Sequence, residues 1–390
     1  MITKSKKIKK YISSKKSIFF KKNKTFKKNT YNFLNNVFDF KKTKKKKSYA
    51  PSINKLKSLK SIDNTSIQNL LNCKNKTIKI KKKCYKWNSN KVKKMLIKNL
   101  LNKKRNSKNI NTDIIIAPKQ YKSNCWFNVF FMIFFVSDRG RKFYRFFRKA
   151  MIEGKIYVKS QNNKFIKKNI SKNLKYPFFL LNYYIEMSLQ GKITNIDKKF
   201  NTNNIIKKIY NTIKKNKKNI NNFLNNNIYN VNDAGNPLSY YNSIFNYLLE
   251  DNYINPINSV TFTNPNINNI NFIFEKNNIY GNLKHYPKII FIQYYNHSNL
   301  LKKTHFKIHN IKYKLDSIVL RSTNNEHFSS YITCNKKDFG FDGGANKPLQ
   351  KFEWKKKINE NNDFNFKGLP NKIKFNFNNG YCIYLYYRIN

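Results

Sequence analysis

Gln120-Tyr121-Lys122-Ser123-Asn124-Cys125-Trp126-Phe127-Asn128 runs directly into Val129-Phe130-Phe131-Met132-Ile133-Phe134-Phe135-Val136. A segment apolar on every side reads as a helix buried all round, and Cys125 falls in its first turn. The thiolate is the attacking form of cysteine, and a free thiol titrates near about 8.5. A helix N-terminus or a neighbouring imidazolium favours the charged form. Cys125 is therefore either a nucleophile or a small apolar core residue, the commoner fate of a free cysteine.

Trp126 to Val136 is too short to cross a bilayer, which takes about 20 residues, so a core helix is expected and a membrane span is not. Downstream, Gly140 to Arg148 reads as an aromatic and basic helix. Residues 176–225 read as two or three helices, one starting at Tyr176-Pro177-Phe178-Phe179 and a polar, basic one over Ile205 to Ile220. After the turn Asp233-Ala234-Gly235-Asn236-Pro237, Leu238 to Leu249 has helical period, with Tyr241, Ile244, Phe245, Leu248 and Leu249 on its inner face. Beyond residue 255 the period changes to two, which predicts strands over 286–293, 305–314, 316–320, 328–334 and 381–388. Helices first and strands afterwards predict an α+β fold, an N-terminal helical part followed by a C-terminal antiparallel sheet.

A nucleophilic Cys125 needs a base, and the histidines are His285, His297, His305, His309 and His327. His305 and His309 share one face of an alternating segment with Lys307, which predicts exposure to solvent. His327 heads a strand that follows the polar turn Ser322-Thr323-Asn324-Asn325. The next strand ends in Phe339-Gly340-Phe341-Asp342-Gly343-Gly344. Antiparallel pairing of the two brings Asp342 beside His327, where a carboxylate can fix the imidazole tautomer and leave the other nitrogen to the thiol. The other reading of this stretch is a surface hairpin carrying an incidental histidine.

Ahead of Ile114-Ile115-Ile116 and Pro118 the chain has a different character. Residues 1–110 carry 36 of the 80 basic residues and only two acids, Asp39 and Asp63. Such a block repels itself and buries little, so a largely disordered basic arm is expected before a domain over 111–390. Within the arm, Val92 to Leu101 predicts a short amphipathic helix, with Met95, Leu96, Leu100 and Leu101 on one side, capping the domain. Phe19, Phe20, Phe26, Tyr31, Phe33, Phe38 and Phe40 lie among the lysine runs, a pattern suited to stacking on single-stranded nucleic acid. The net charge of +62 implies attraction to polyanions, although the Lys, Asn, Ile, Phe and Tyr excess is also what an AT-rich coding bias produces.

The five cysteines, at 73, 84, 125, 334 and 382, include no Cys-x-x-Cys pair. That spacing argues against a zinc ribbon and, being odd in number, against a disulfide framework. The basic start lacks a continuous apolar segment, so no secretory signal is expected and a reducing, intracellular setting is.

Taken together, the motifs resemble the ubiquitin-specific proteases, a papain-like cysteine peptidase family. Asn124-Cys125-Trp126-Phe127-Asn128 before an apolar helix is similar to their cysteine box, roughly N-T-C-Y-M-N. His327-Phe328-Ser329-Ser330-Tyr331-Ile332 followed by Phe341-Asp342 is similar to their histidine box, H-Y-x-x-Y-V then F-D. Tyr286-Pro287-Lys288-Ile289-Ile290-Phe291-Ile292-Gln293 and Tyr313-Lys314-Leu315-Asp316-Ser317-Ile318-Val319 resemble the family's intervening strands, in the same order. The resemblance covers about 115–390. It implies that Cys125 is the nucleophile, His327 the general base, Asp342 the residue orienting it, and Gln120 the amide side chain of the oxyanion hole. It further implies hydrolysis after the Gly-Gly tail of ubiquitin or a ubiquitin-like protein, with no cofactor. The family's glycine before the cysteine is absent, as are the zinc-binding cysteine pairs of its fingers subdomain, so no metal site is expected.

Ubiquitin's tail is basic, and residues 111–390 hold 44 basic and 16 acidic residues, so a ubiquitin-directed site requires local acidity. Glu326, Asp338 and Asp342 are expected around the histidine, with Glu250 and Asp251 near. Two other function classes stand beside the peptidase. One is a catalytically inactive binding protein of the same fold, and the other is a basic scaffold associated with nucleic acid. Oligomeric state is not readable from the sequence.

Overall fold

The computed structural model describes residues 77–80, 82–101, 110–159, 165–193, 200–215, 237–238, 241, 244, 259–276, 286–295, 300–324 and 327–389. These residues belong to one compact unit, 64–390. The arm expected to be disordered lies outside the described residues from 1 to 76. Residues 77–101, by contrast, form an antiparallel hairpin, β1 (Thr77–Ile80) and β2 (Lys83–Lys86), and helix α1 (Asn90–Leu101). Spacing of four residues puts Val92, Leu96 and Leu100 on one stripe of α1, and all three are buried in the main core. Leu101, expected on that stripe, is 56% exposed.

Helix α2 (Cys125–Phe135) is buried at all of its positions. It is followed by α3 (Asp138–Phe143) and α4 (Arg145–Glu153), so the single helix expected over 140–148 is broken at Tyr144. Ser137 caps α3, accepting from the Gly140 N–H at 3.0 Å. At this junction the chain turns so tightly that a Cβ on Gly140 would lie 1.9 Å from the Ile133 carbonyl oxygen. A hairpin absent from the sequence reading, β3 (Lys155–Lys159) and β4 (Phe165–Asn169), precedes α5 (Lys172–Leu189). Helix α5 starts four residues before Tyr176 and holds Pro177 in its second turn. Helix α6 (Thr202–Lys215) lies where a basic helix was expected, and residues 216–220 are outside the described ones. Of the helix read over 238–249, Leu238, Tyr241 and Ile244 are described and buried. Inside this layer Arg148 on α4 donates to Asn182 at 2.9 Å and pairs with Glu186 at 2.9 Å, both on α5.

The second half is a sheet of eight strands: β5 (Ser259–Thr263), β6 (Ile289–Tyr294), β7 (His305–Ile308), β8 (Ile311–Arg321), β9 (Phe328–Cys334), β10 (Lys337–Phe341), β11 (Leu349–Lys351) and β12 (Cys382–Ile389). Their order is β11-β10-β9-β8-β12-β6-β5, with β7 paired to the start of β8. The sheet is mixed: β5 runs parallel to β6, where an antiparallel sheet was expected. A second correction concerns 305–320, where a turn at His309 (φ +50°) separates β7 from one long β8.

Alternation along each strand feeds two cores. Ile289, Phe291, Val319, Ile332, Ile383 and Leu385 face the helices. Ile290, Ile292, Ile318, Tyr331, Tyr384 and Tyr386 face α7 (Ile270–Lys276), α8 (Trp354–Lys357) and the segment around Phe375. Burial on both faces explains why β6 and β12 read as nearly unbroken apolar runs. No helix among the described residues is long and apolar enough to cross a membrane. Cys84, exposed on β2, is disulfide-bonded, unlike the reduced state expected, whereas Cys125, Cys334 and Cys382 are free and buried.

The placement of α1 makes a measurable claim. Leu96→Ala should lower the unfolding free energy by about 2–5 kcal/mol, the cost of a cavity in a packed core. Leu101→Ala should stay within about 0.5 kcal/mol, as surface changes do. Denaturant unfolding of the two variants checks both.

Candidate active site

Three segments that are far apart in sequence meet at the N-terminus of α2. Cys125 is the first residue of that helix and is 7% exposed, so its thiol sits where the unpaired N–H groups of a helix favour negative charge. Just outside the helix, Asn124 donates through Nδ2 to Thr202 Oγ1 at 3.1 Å. The Thr202 hydroxyl in turn donates to Asn128 Oδ1 at 2.7 Å, and Asn128 Nδ2 donates to the Lys119 carbonyl at 3.3 Å. Asn124, Asn128 and Thr202 are all fully buried. This chain of bonds ties the approach segment 119–124, the first turn of α2 and the first residue of α6 into one unit.

The other side of the site is the β9–β10 hairpin. Its register pairs Ser330 with Phe341 and Cys334 with Lys337, so the residue before β9 and the residue after β10 emerge at the same end. There His327 Nε2 lies 2.7 Å from Asp342 Oδ2. The Asp342 side chain is 0% exposed, and its other oxygen accepts from the Gly344 N–H at 2.8 Å. With Nε2 directed at the carboxylate, Nδ1 is left for the thiol, and the Cys125 side chain is near enough to the imidazole to favour its charged form. Cys125, His327 and Asp342, selected from sequence alone, are thus brought together in one array.

The opposite end of the hairpin is fixed as well. Asn335 and Lys336 form its turn, both with positive φ, as a two-residue turn of this twist requires. Their backbone N–H groups donate to the two oxygens of Asp138, at 2.9 and 3.0 Å. Asp138 opens α3, so the chain leaving the far end of α2 holds the far end of the hairpin. On β8, Asp316 accepts from the Ser137 hydroxyl at 2.6 Å and from the Arg139 N–H at 3.2 Å. Burial pushes its carboxyl up to about 6, against the pull of those hydrogen bonds.

The electrostatics of His327 are those of a paired base. Burial, the largest influence, works against the charged ring. The hydrogen bond to Asp342 and the nearness of Cys125, with the Coulombic attraction of both, outweigh it and push the imidazole up to about 10. Gln120 is drawn to the same place: its N–H donates to the Gly343 carbonyl at 2.8 Å, and a Cβ on Gly343 would come within 3.1 Å of that nitrogen. The Gln120 Oε1 is buried with no hydrogen-bond partner.

Other expected members are not part of the array. Asp338 lies towards the turn end of β10, where it pairs with Lys355 at 2.6 Å. His305 and His309 are exposed, as their strand pattern implied. His309 contacts Glu275 at 2.6 Å and Tyr286 at 2.8 Å. Glu250, Asp251, His285, His297 and Glu326 lie outside the described residues. Thr202 was missed: the run Asn201-Thr202-Asn203-Asn204 marks a helix start, with Asn201 accepting from the Asn204 N–H at 2.9 Å, but nothing local ties it to Cys125.

Two outcomes follow from this geometry. A base whose folded pKa exceeds its unfolded value of about 6.5 stabilises the fold fully below that pH, and the stabilisation is lost as pH rises through about 10. The difference in melting temperature between the native chain and His327→Gln should therefore be largest below pH 6.5 and shrink on approach to pH 10.5. Thr202→Val should destabilise by about 1–3 kcal/mol, because buried amides lose their partners. It should also slow alkylation of Cys125 by iodoacetamide several-fold, read by mass spectrometry. Compared with known protein families and with curated proteins, the chain matches none.

Proposed function

We propose that the protein is a papain-like cysteine peptidase of the ubiquitin-specific protease type. It hydrolyses peptide or isopeptide bonds after the Gly-Gly tail of ubiquitin or a ubiquitin-like modifier. The observation that carries the reading is the array of Cys125, His327 and Asp342, with His327 hydrogen-bonded to the buried Asp342 and the thiol on the first residue of a buried helix. In this mechanism the Cys125 thiolate attacks the carbonyl carbon, and the tetrahedral oxyanion is held by the Cys125 N–H and the Gln120 amide. The buried, unpartnered end of that amide supports the assignment, since a half-turn of the group presents Nε2, the donor an oxyanion requires. The His327 imidazolium then protonates the leaving amine. As a neutral base it next takes a proton from water, which attacks the thioester and releases Cys125.

A second reading, a scaffold held to nucleic acid by charge, draws on the surface of β2 and α1. Lys82, Lys83, Lys86, Lys91, Lys94 and Lys98 are exposed there, and residues 77–101 contain no acid. The two activities are compatible, and steep loss of binding with salt is the signature of the second. An inactive binding protein of the same fold has no chemical need of all three site residues. An intracellular setting remains part of the proposal; the buried thiols of Cys125, Cys334 and Cys382 are in keeping with it and the disulfide-bonded Cys84 is against it.

The test is to incubate the full chain with ubiquitin, and in parallel with ubiquitin-like proteins, bearing a C-terminal electrophile. The expected outcome is a mass shift that disappears in Cys125→Ala and drops by at least about a hundredfold in rate in His327→Ala, in line with the usual weight of a general base. A Cys125 that alkylates with small reagents but ignores every such probe would sink the modifier reading. An inert Cys125 would sink the peptidase reading altogether.

A further inference from the structure

The peptidase reading leaves open which tails the site accepts, and the walls of the site bear on that. Three segments border the array. Residues 118–124 lead to Cys125 and are bonded to Gly343 through Gln120. Residues 343–350 continue from Asp342, whose own N–H donates to the Pro348 carbonyl at 2.9 Å. Residues 366–374 close over the same turn: a Cβ on Gly344 would lie 3.3 Å from Leu369 Cδ2. Next to that segment, Phe375 has its ring 6.1 Å from that of His327, and the Lys374 carbonyl accepts from the Thr323 N–H at 2.9 Å.

Together these segments contain the exposed Lys119, Lys122, Lys347, Lys367 and Lys374, and no Asp or Glu. Among the described residues, the carboxylates nearest the array lie apart from Lys119, Lys122 and Lys374, and Glu326 is outside the described residues. Asp342 is shut away from solvent behind His327, and the exposed Asp363 is turned to the Asn376 amide at 3.0 Å. Asp338, another of the acids expected near the histidine, is held by Lys355. A chain segment threading to Cys125 therefore passes between two lysine-bearing walls. At contact distance, inside the roughly 8 Å screening length of physiological salt, like charges repel and unlike charges attract.

We propose that the residues preceding the scissile bond in this protein's substrate are acidic, so that the site selects an acidic tail and disfavours a basic one such as that of ubiquitin. Lys119, Lys122 and Lys374 are specificity-determining residues, one pair on the nucleophile side and one residue on the histidine side. The inference rests on the peptidase reading for the identity of the scissile bond. Its charge argument depends only on the walls.

The experiment uses the full chain and two fluorescein-labelled peptides, Glu-Glu-Glu-Ala-Gly-Gly and Lys-Lys-Lys-Ala-Gly-Gly, each with and without a C-terminal vinyl methyl ester. With the electrophile, Cys125 should be labelled at least about tenfold faster by the acidic peptide. The ratio should shrink in 0.5 M sodium chloride and reverse in the triple variant Lys119→Glu, Lys122→Glu, Lys374→Glu. Without the electrophile, fluorescence anisotropy on Cys125→Ala should show the same order of affinity, which keeps the charge argument testable if no probe labels the thiol and the peptidase reading fails. Equal binding of the two peptides, tighter binding of the basic one, or a preference unmoved by the triple variant would overturn the proposal. So would displacement of the acidic peptide by a mixed-sequence oligonucleotide of equal charge at equal concentration, the mark of an unselective polyanion surface.

Discussion

Burial of α2 on every side is the constraint on which the rest of this structure depends. A helix with one dry face can slide or roll at modest cost, whereas one packed all round is locked in place by its neighbours. With about 1.5 Å of rise per residue, its 11 residues place Cys125 and the Ser137 junction at opposite ends of a short rod. Alongside runs the β9–β10 hairpin, joined to the same rod at both ends. Asp138 grips its turn, and the array of His327 with Cys125 closes the other end. Side-chain chemistry at one end is thereby positioned partly by backbone hydrogen bonds made at the other.

That arrangement explains how a thiol and an imidazole can be held in register without either sitting on a rigid loop. The order of contacts also assigns distinct duties to residues of one motif. Cys125 and His327 face each other, while Asn124 and Asn128 turn inward to Thr202 and anchor the segment that enters the site. Gly343, the residue after Asp342, lets backbone approach backbone, so that the wall carrying Gln120 and the wall carrying His327 touch directly.

Legibility from sequence followed the range of the interaction. Cys125 at the head of an apolar run, and His327 and Asp342 at the two ends of one hairpin, are local patterns, and each came through. Phe328–Cys334 has clean alternation and became β9 at the boundaries expected. Where the deciding contact was distant, the reading failed. Thr202 reaches Asn124 and Asn128 across more than seventy residues. The parallel alignment of β5 with β6 is set by a crossover through α7 that no local period encodes. Asp338 looked near the histidine because it is near in sequence, but a strand carries it towards the far end of the hairpin. His309 was placed on a continuous strand because a residue with positive φ other than glycine leaves no mark in hydrophobic periodicity.

Gly140 has a consequence for how the gene can change. The chain is loaded with lysine and asparagine, residues that an adenine-rich coding strand supplies, and it retains only ten glycines, whose codons begin with two guanines. At exposed sites such as the faces of α1, base composition can rewrite the protein freely. At the bend between α2 and α3 it cannot, because any side chain at position 140 would have to occupy the space of the Ile133 carbonyl. The close approach of α2 and α3 there sets a steric limit that base composition cannot relax: any codon change that adds a Cβ at position 140 forces the bend apart.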